Sequence, residues 1–249
     1  MKTSVITVSF NSAATIGDTL SSLSEQTWPE IEHIVIDGGS TDDTLEIVRR
    51  SGKHLAYVVS GRDAGIYDAM NKGVAAATGE IIGFLNADDR YAHKDVLRDV
   101  ANAMESGEID AVFGDVAYFR SENPNGVVRR YSSARFRPDR IAWGWMPAHP
   151  SLFVRKEIFR RVGPFSKEFR IAGDFEWIAR AFRDGSIRYR YLPEVLVRMR
   201  IGGISTGGWR NTILLNREVI RACRANGIST SWLKILSKYP AKLIELFRE

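Results

Sequence analysis

Two apolar runs that end in acidic residues decide how this chain folds. The first is HIVIDGGSTDD, residues 33–43, and the second is IIGFLNADDR, residues 81–90. Short runs rich in Ile that stop at Gly, Asn or Asp are typical of buried parallel strands. Because ligands bind beyond the carboxyl ends of such strands, we expect both acidic clusters at one edge of one sheet. A hard divalent cation between these acids and a phosphate would explain their presence there.

The pattern on either side extends this sheet. Strand-like runs occur at 5–10, 31–36, 55–60 and 81–85. Helical patterns separate them at 16–26, from about 40 to 48, and at 64–77. This alternation predicts an α/β fold with a mostly parallel central sheet and helices on both faces. Later patterns are mixed, with strands at 111–119, 127–131 and 189–199 and helices at 94–105, 156–162, 174–182, 209–225 and 230–247.

Composition predicts a soluble globular protein. The 249 residues are 44% hydrophobic and 26% charged, which suffices for a sizeable core. We expect one domain in two halves, at residues 1–90 and 91–203, followed by C-terminal helices at 204–249. No apolar run approaches the roughly 20 residues of a membrane span, and a strand pattern from residue 4 leaves no visible signal peptide. The single cysteine, Cys223, excludes an internal disulfide, and a cytoplasmic location is expected.

Positive charge is concentrated in two stretches. The net charge is +5 and the isoelectric point is about 9.4. Arginines crowd residues 129–140 and 180–200. Two interpretations stay open: these are ordinary solvated faces, or they attract an anion such as a pyrophosphate, a nucleic acid or an acidic membrane surface.

The ordered motifs of the chain resemble those of the family 2 glycosyltransferases, which are inverting enzymes of the GT-A fold. The motifs are TVSFN (7–11), VIDGGSTD (35–42), DAGIYDAMNKG (63–73), LNADD (85–89), HPSLF (149–153) and GDFEW (173–177). Together they span about residues 4–203. The resemblance implies a Rossmann-like GT-A sheet with a small mixed acceptor half and C-terminal helices. It also implies sugar transfer from a nucleotide-sugar, with UDP expected, to a hydroxyl of a saccharide or lipid-linked saccharide.

Asp88 and Asp89 are the predicted metal ligands. Their motif looks like the Asp-X-Asp signature of the family, with Asn86 in the first acidic place. Departure of a nucleoside diphosphate requires a cation to neutralise its charge, and Mn²⁺ or Mg²⁺ prefers carboxylate oxygen. Asp88 is expected to contact the ribose and phosphate as well. Which of the two acids touches the metal stays open, and a simple cap at the strand end is the alternative.

Further nucleotide contacts are expected along the same edge of the sheet. By resemblance Asp37 helps to hold the nucleoside, although the family often has a second acid where this chain has Gly38. Ser9 and Asn11, at the end of the first strand, are expected to line the pocket or to form a turn.

The DAGIYDAMNKG motif supplies the remaining candidates for the donor. Asp63 and Asn71 are expected to face the nucleotide. Lys72 or Arg62 is a candidate for a phosphate contact, with a surface salt bridge as the alternative.

Inverting transfer also needs a general base across the sugar from the leaving group. A carboxylate at a helix start outside the nucleotide half suits that geometry. Asp174 matches the base position of the family, and Glu176 is its rival; on a helix the two point to different faces. His149, between prolines on the acceptor side, has either an active-site or a structural role.

Three features stay open in the sequence. Trp143, Trp145 and Trp177 either stack on a sugar or pack in the core. Residues 202–208 form either a loop that closes over the donor or a plain connection. The basic amphipathic stretch 232–247 lies on an anionic membrane, on the core or on a partner subunit.

Two other functions compete with sugar transfer. A nucleotidyltransferase shares the α/β plan and the metal, but residues 9–12 lack the expected Gly-rich loop with a basic residue. A non-catalytic nucleotide- or polyanion-binding protein would explain the basic stretches. We expect no nucleic acid partner, because the three acids at positions 88, 89 and 174 are all present.

Overall fold

A computed structural model describes residues 1–51, 54–202 and 208–237, apart from the side chains of 51, 208 and 209. Its helices are α1 (Ile16–Ser24), α2 (Thr44–Ser51), α3 (Ile66–Ala76), α4 (Val96–Met104), α5 (Lys156–Val162), α6 (Gly173–Phe182), α7 (Gly208–Ala225) and α8 (Trp232–Leu236). Its strands are β1 (Thr3–Ser9), β2 (Ile31–Asp37), β3 (Leu55–Ser60), β4 (Ile81–Phe84), β5 (Arg90–Tyr91), β6 (Ala111–Phe119), β7 (Arg129–Tyr131), β8 (Leu152–Arg155) and β9 (Tyr189–Arg200). The predicted α/β architecture is confirmed.

The described strands form one sheet in the order β3-β2-β1-β4-β8-β6-β9-β5, with β7 beside β6. The first four strands are mutually parallel. From β1 the chain moves outward through β2 and β3, then returns to place β4 on the other side of β1. The carboxyl ends of β1 and β4 therefore border a crevice of the kind that binds ligands in open α/β sheets.

The second half of the chain joins the same sheet through β8. This strand runs antiparallel to both β4 and β6. At its centre Phe153 pairs with Gly83, where a Cβ atom would lie 2.5 Å from the phenyl ring. The sequence did not predict β8, because four residues after a proline-containing turn give too short a pattern. The division of the chain into halves stays a prediction, but the two share one hydrogen-bonded sheet.

An aromatic core lies between this sheet and the helices that follow it. Trp177 is 1% exposed, stacks on Phe159 at 4.4 Å and donates its indole N–H to the carbonyl of Gly163. Trp145 is also buried. Both therefore pack in the core, whereas Trp143 is 42% exposed.

Two predicted features fall partly outside the description. Residues 203–207 of the loop at 202–208 and residues 238–249 of the stretch at 232–247 are not among the described residues. Of that stretch, α8 is described. No helix in the described ranges combines the length and apolar character needed to traverse a bilayer.

Candidate active site

Asp37, the last residue of β2, has a carboxylate that its own surroundings occupy completely. Oδ1 accepts hydrogen bonds from the hydroxyls of Ser40 (2.5 Å) and Ser9 (3.2 Å). Oδ2 accepts them from the Ser60 hydroxyl (2.7 Å) and from two backbone N–H groups. Burial alone would raise the pKa of Asp37, but the hydrogen bonds from the three serines outweigh it and hold the pKa below its ordinary value. Asp37 and Ser9 thus brace the strand ends, and a contact of Asp37 with a nucleoside stays a prediction.

Asn11 joins the loop after β1 to the loop after β2. Its φ of 47° lies in the left-handed region, which Asn enters more readily than most residues. Its side-chain Oδ1 accepts the N–H of Thr41 at 2.9 Å, and its own N–H donates to the Ser40 hydroxyl at 2.8 Å. Asn11 therefore shapes the mouth of the crevice.

Phe10 is an exposed aromatic ring at the end of β1. It is 63% exposed, although it directly follows a fully buried strand. A Cβ atom on Gly38 would lie 3.5 Å from this ring and 2.8 Å from Asp63 Oδ2, so the ring and the carboxylate flank the glycine. The Oδ1 atom of Asp63 is already bound to the N–H of Gly65 at 2.9 Å. An exposed ring beside a carboxylate suits the stacking and hydrogen bonding of a nucleobase.

Sequence reasoning assigned Phe10 only to a strand. Its place beside the residues that end β1, within the TVSFN motif, is the signal that could have identified it.

Asn71 and Lys72 make other contacts than those expected. The Asn71 amide donates to the carbonyl of Phe165 (2.9 Å) and accepts the N–H of the same residue (2.8 Å). Each of its polar atoms is therefore bound to the backbone that follows α5, and the contact of Asn71 with the nucleotide stays a prediction. Lys72 is exposed and pairs with Asp68 at 3.0 Å, in keeping with the surface salt bridge left open as the alternative.

Asp88 and Asp89 stand together in the turn that follows β4. The hydroxyl of Thr19, on α1, donates to the carbonyl oxygens of Asp89 (2.7 Å) and Asn86 (3.3 Å) and so holds the turn in place. The Asn86 amide donates to Asp89 Oδ2 at 3.2 Å, and the backbone N–H of Arg200 donates to the same carboxyl group. Asp89 is 2% exposed and Asp88 is half-buried.

Burial dominates the electrostatics of this pair and outweighs the nearby charge of Arg200. Burial raises the pKa of Asp89 well above its ordinary value, and the charge of Asp88 raises it further. Burial also raises the pKa of Asp88, against the pull of the Arg200 charge. A cation bound between the two carboxylates would offset both the desolvation and the repulsion.

The donor set fits Mg²⁺ or Mn²⁺ held partly by the substrate. Two carboxylates are hard oxygen ligands, and Mg²⁺ is commonly bound by one or two of them together with substrate phosphates and water. Among the described residues, the one group of three acidic or histidine side chains close enough to share an ion lies elsewhere, at His93, Asp99 and Glu194. A metal at Asp88 and Asp89 would therefore need phosphate oxygens to complete its shell.

Asp174 lies in the first turn of α6, half-buried. Its Oδ1 atom accepts the N–H of Phe175 at 2.8 Å and lies 3.4 Å from the Tyr67 hydroxyl. Within the described part of the chain, its Oδ2 atom accepts no hydrogen bond. One oxygen is thus held while the other is available to a substrate hydroxyl, which is the arrangement a general base requires.

Tyr67, on α3, fixes the position of that helix start. Its hydroxyl donates to the carbonyl of Ile171 at 2.6 Å, and a Cβ atom on Gly173 would lie 2.6 Å from its ring. Burial and the charge of Asp174 raise the pKa of Tyr67, so its hydroxyl stays protonated as a donor. Since α3 lies about 100 residues before α6 in the chain, this contact joins two distant segments at Asp174.

Glu218, on α7, braces the same segment from behind. It is 8% exposed and accepts the backbone N–H groups of three consecutive residues, Arg170 (2.9 Å), Ile171 (2.9 Å) and Ala172 (2.8 Å). A buried carboxylate that satisfies three amides stabilises one loop conformation strongly. Sequence reasoning missed Glu218, because its partners lie nearly 50 residues away and no motif marks it.

Glu176 is committed to the protein interior. Both of its oxygens pair with Arg180, at 3.0 Å and 2.9 Å, and Oε1 also accepts the amide of Asn226 at 3.2 Å. Its exposure is 6%. A catalytic role of Glu176 stays a prediction, and within the described part of the chain Asp174 is the acid on α6 that keeps one oxygen free of hydrogen bonds.

His149 is enclosed by aromatic side chains. Its ring centre lies 5.1 Å from that of Phe84 and 5.9 Å from that of Phe165. Burial lowers the pKa of His149, and the charge of Asp174 opposes this only in part. A neutral imidazole near Asp174 can position that acid or a substrate hydroxyl, but it is not placed as a cationic group.

Comparisons with known proteins show the family to which this chain belongs. The family model described as glycosyl transferase family 2 matches residues 4–163. The PGL/p-HBAD biosynthesis glycosyltransferase of Mycobacterium bovis BCG is 34% identical over 215 residues, which cover 85% of this chain and 80% of that protein. Glycosyltransferase AglE of Haloferax volcanii is 30% identical over 187 residues, covering 72% of this chain and 60% of AglE.

Solved structures share the fold. Staphylococcus aureus TarS 1-349 in complex with UDP-GlcNAc superposes with a TM-score of 0.68 at 23% identity, covering 89% of this chain and 66% of that one. The mannosyltransferase PcManGT of Pyrobaculum calidifontis, in complex with GDP-Man and Mn²⁺, gives 0.63 at 19% identity, covering 99% and 81%. These likenesses confirm the predicted GT-A-like sheet. With most of the chain matched by the family model and by relatives of this similarity, the protein belongs to glycosyl transferase family 2 and is a glycosyltransferase.

Proposed function

We propose that this glycosyltransferase is metal-dependent and inverting, and that it moves a sugar from a UDP-linked donor to a hydroxyl of a saccharide or lipid-linked saccharide. One observation carries the proposal: a buried and a half-buried acid stand together at the end of β4, both with raised pKa values, and an acid on α6 has a second oxygen that is free among the described residues. The pair would hold the cation that neutralises the leaving diphosphate, and the acid on α6 would be the base that inverting transfer needs.

In this proposal the donor lies along the crevice at the carboxyl ends of β1, β2 and β4. Phe10 stacks on the nucleobase, and Asp63 contacts the nucleoside through Oδ2. Asp37, Ser9 and Asn11 keep the loops in shape. The solved relatives that bind UDP-GlcNAc and GDP-Man show that one fold serves different bases, so UDP rests on the resemblance of the motifs.

Asp88 and Asp89 would hold Mg²⁺ or Mn²⁺ against the diphosphate. When bound, the cation would neutralise the charge that develops on the leaving group. Asp174 Oδ2 would take the proton of the acceptor hydroxyl. The acceptor oxygen would then form its bond to the anomeric carbon as the opposite bond to the diphosphate oxygen breaks, with inversion and without a covalent enzyme intermediate.

Tyr67 and Glu218 have supporting places in this mechanism. The tyrosine hydroxyl and the carboxylate both hold the backbone immediately before Asp174. They fix the distance between the base and the donor, and a near-attack geometry depends on that distance.

A donor-hydrolysis screen tests the proposal. Purified protein would meet UDP-, GDP- and dTDP-sugars with Mn²⁺ or Mg²⁺, and then with EDTA, while release of nucleoside diphosphate is followed. We expect release from one class of donor, lost with EDTA and in Asp88→Ala and Asp174→Ala. Asp184→Ala, an exposed acid just past the other end of α6, is the matched control and should keep full activity.

The same screen separates the competing reaction. A nucleotidyltransferase would instead release pyrophosphate when a nucleoside triphosphate and a sugar 1-phosphate are added to the panel. Absence of both products, with no shift in melting temperature on adding nucleotide and metal, would refute the nucleotide site itself.

A further inference from the structure

A groove between α7 and α8 has no part in the chemistry described so far. Its volume is about 540 Å³, and it is lined by Arg217, Ile220, Arg221, Arg224, Ala225 and Trp232. We call this surface, together with the exposed side of α8, the α7–α8 surface. Its charge and its apolar side chains point to the same kind of partner.

Positive charge lies along one side of the groove. Arg217, Arg221 and Arg224 follow one another at helical spacing on one face of α7. Arg221 is held in place, because its guanidinium lies 4.1 Å from the centre of the Phe169 ring and donates to the carbonyl of Glu168 at 2.7 Å. The guanidinium groups of Arg217 and Arg224 are exposed and form no hydrogen bond or ion pair with any residue in the described ranges. Two cations thus face solvent across one helix surface.

Large apolar side chains stand beside these cations on α8. Ile235 is completely buried and anchors the helix. Around it Trp232 is 43% exposed, Leu233 is 84% exposed and Leu236 is 44% exposed. Exposed leucines next to an exposed tryptophan are unusual on the outer side of a surface helix, and they mark an interaction site.

We propose that the α7–α8 surface docks on an anionic phospholipid bilayer. Leucine and tryptophan side chains of an interfacial helix enter the boundary between headgroups and acyl chains. Arginines beside it attract the phosphates of acidic lipids, and their long stems reach the headgroup level. The net charge of +5 adds a favourable long-range attraction.

Charge argues against a second copy of this chain as the occupant. A symmetric dimer contact brings the same patch together from both subunits. Arg217 and Arg224 would then face their own counterparts across an apolar contact. Like charges in that position weaken association, whereas a layer of lipid phosphates pairs with them.

The inference deepens the proposed function and rests on it in one respect only. If the acceptor is carried on a lipid, docking places it beside the enzyme. Binding to the bilayer itself requires neither donor nor turnover, so the two proposals fail separately. Loss of donor hydrolysis would leave the docking intact, and loss of docking would leave hydrolysis of a soluble donor intact.

Co-sedimentation with vesicles tests the inference on the full chain. We expect binding to vesicles of phosphatidylcholine with phosphatidylglycerol, weakened by salt, and little binding to phosphatidylcholine alone. Arg217→Gln with Arg224→Gln should weaken the partition by about 25-fold, at roughly fivefold for each basic residue. Leu233→Asp should remove binding while the melting temperature stays unchanged, because that side chain is almost fully exposed.

Matched controls guard against a general charge effect. Arg49→Gln with Arg50→Gln removes the same charge from exposed positions on α2, and Val127→Asp adds an acid at another exposed apolar residue. Both should bind vesicles like the unmodified chain. An equal loss of binding in the control variants, or no binding to anionic vesicles, would overturn the inference. So would self-association of the protein without vesicles if Leu233→Asp abolished it.

Discussion

Replacing Gly173 with alanine should displace the proposed base while changing stability little. The new Cβ atom would lie 2.6 Å from the Tyr67 ring, about 0.8 Å short of an ordinary contact. The ring cannot retreat easily, because it is buried, its hydroxyl is bound to Ile171 at 2.6 Å, and its other side meets Phe165. The start of α6, and Asp174 with it, must move instead.

Two opposing terms set the stability of this variant. Overpacking of a filled site costs about 1–3 kcal/mol. Alanine in place of glycine in a helix stabilises the helix by about 1 kcal/mol. The net loss in the free energy of unfolding should therefore be about 0–2 kcal/mol, and the protein stays folded. Displacement of a catalytic group by about 1 Å costs about 100-fold in rate, so activity should fall far more than stability.

The assay compares the initial rate of nucleoside diphosphate release with urea unfolding of the same preparation. We expect kcat to fall by about two orders of magnitude while the KM for the donor changes little. Gly17→Ala is the control, because that glycine lies in the first turn of α1 and has open space around it. A normal rate in Gly173→Ala, or an equal loss in Gly17→Ala, would refute the reasoning.

Three further predictions concern the acids and the ring of the site. Burial raises the pKa values of Asp88 and Asp89, so protons should compete with Mn²⁺ for these carboxylates. The Mn²⁺ concentration that gives half-maximal activity should therefore rise as the pH falls from neutral, and a concentration that does not change with pH would contradict this. Glu176→Gln breaks the ion pair with Arg180 and should lower the free energy of unfolding, measured in urea, by about 3 kcal/mol. A change in the pH dependence of turnover in this variant would instead indicate a catalytic role. Phe10→Ala should weaken UDP binding by about 1–3 kcal/mol in calorimetry without changing the melting temperature, and unchanged affinity would exclude stacking.

The parallel half of the sheet could be predicted from the sequence because its signals are local. Thr3–Ser9, Ile31–Asp37 and Ile81–Phe84 are buried almost throughout, and buried parallel strands require continuous apolar runs. The place of Asp88 and Asp89 could be predicted in the same way. They come directly after an apolar run, and the residues after such a run lie at the carboxyl end of the strand.

Contacts between distant residues were beyond such reasoning. An asparagine amide has the same character whether it bonds a nucleotide or, as Asn71 does, the backbone of a residue 94 positions away. Likewise the sequence around Glu218 contains no pattern that predicts its hydrogen bonds with three backbone N–H groups. The side chains that hold Asp174 in place come from distant parts of the sequence, and one of them, Glu218, belongs to no motif. Motifs therefore identify the candidate reacting groups more readily than the residues that position them.

The insertion of β8 between β4 and β6 has a consequence for any attempt to recombine this enzyme. A segment from a relative that replaces residues 91–203 would need a strand that pairs antiparallel with β4, as β8 does. That strand would also have to place an aromatic ring over Gly83. Residues 1–90 expressed alone would keep the pairing of β4 with β1 but would leave the edge that pairs with β8 open to association with other chains. New acceptor specificity is therefore more accessible through loop and side-chain changes around α6 than through exchange of whole segments.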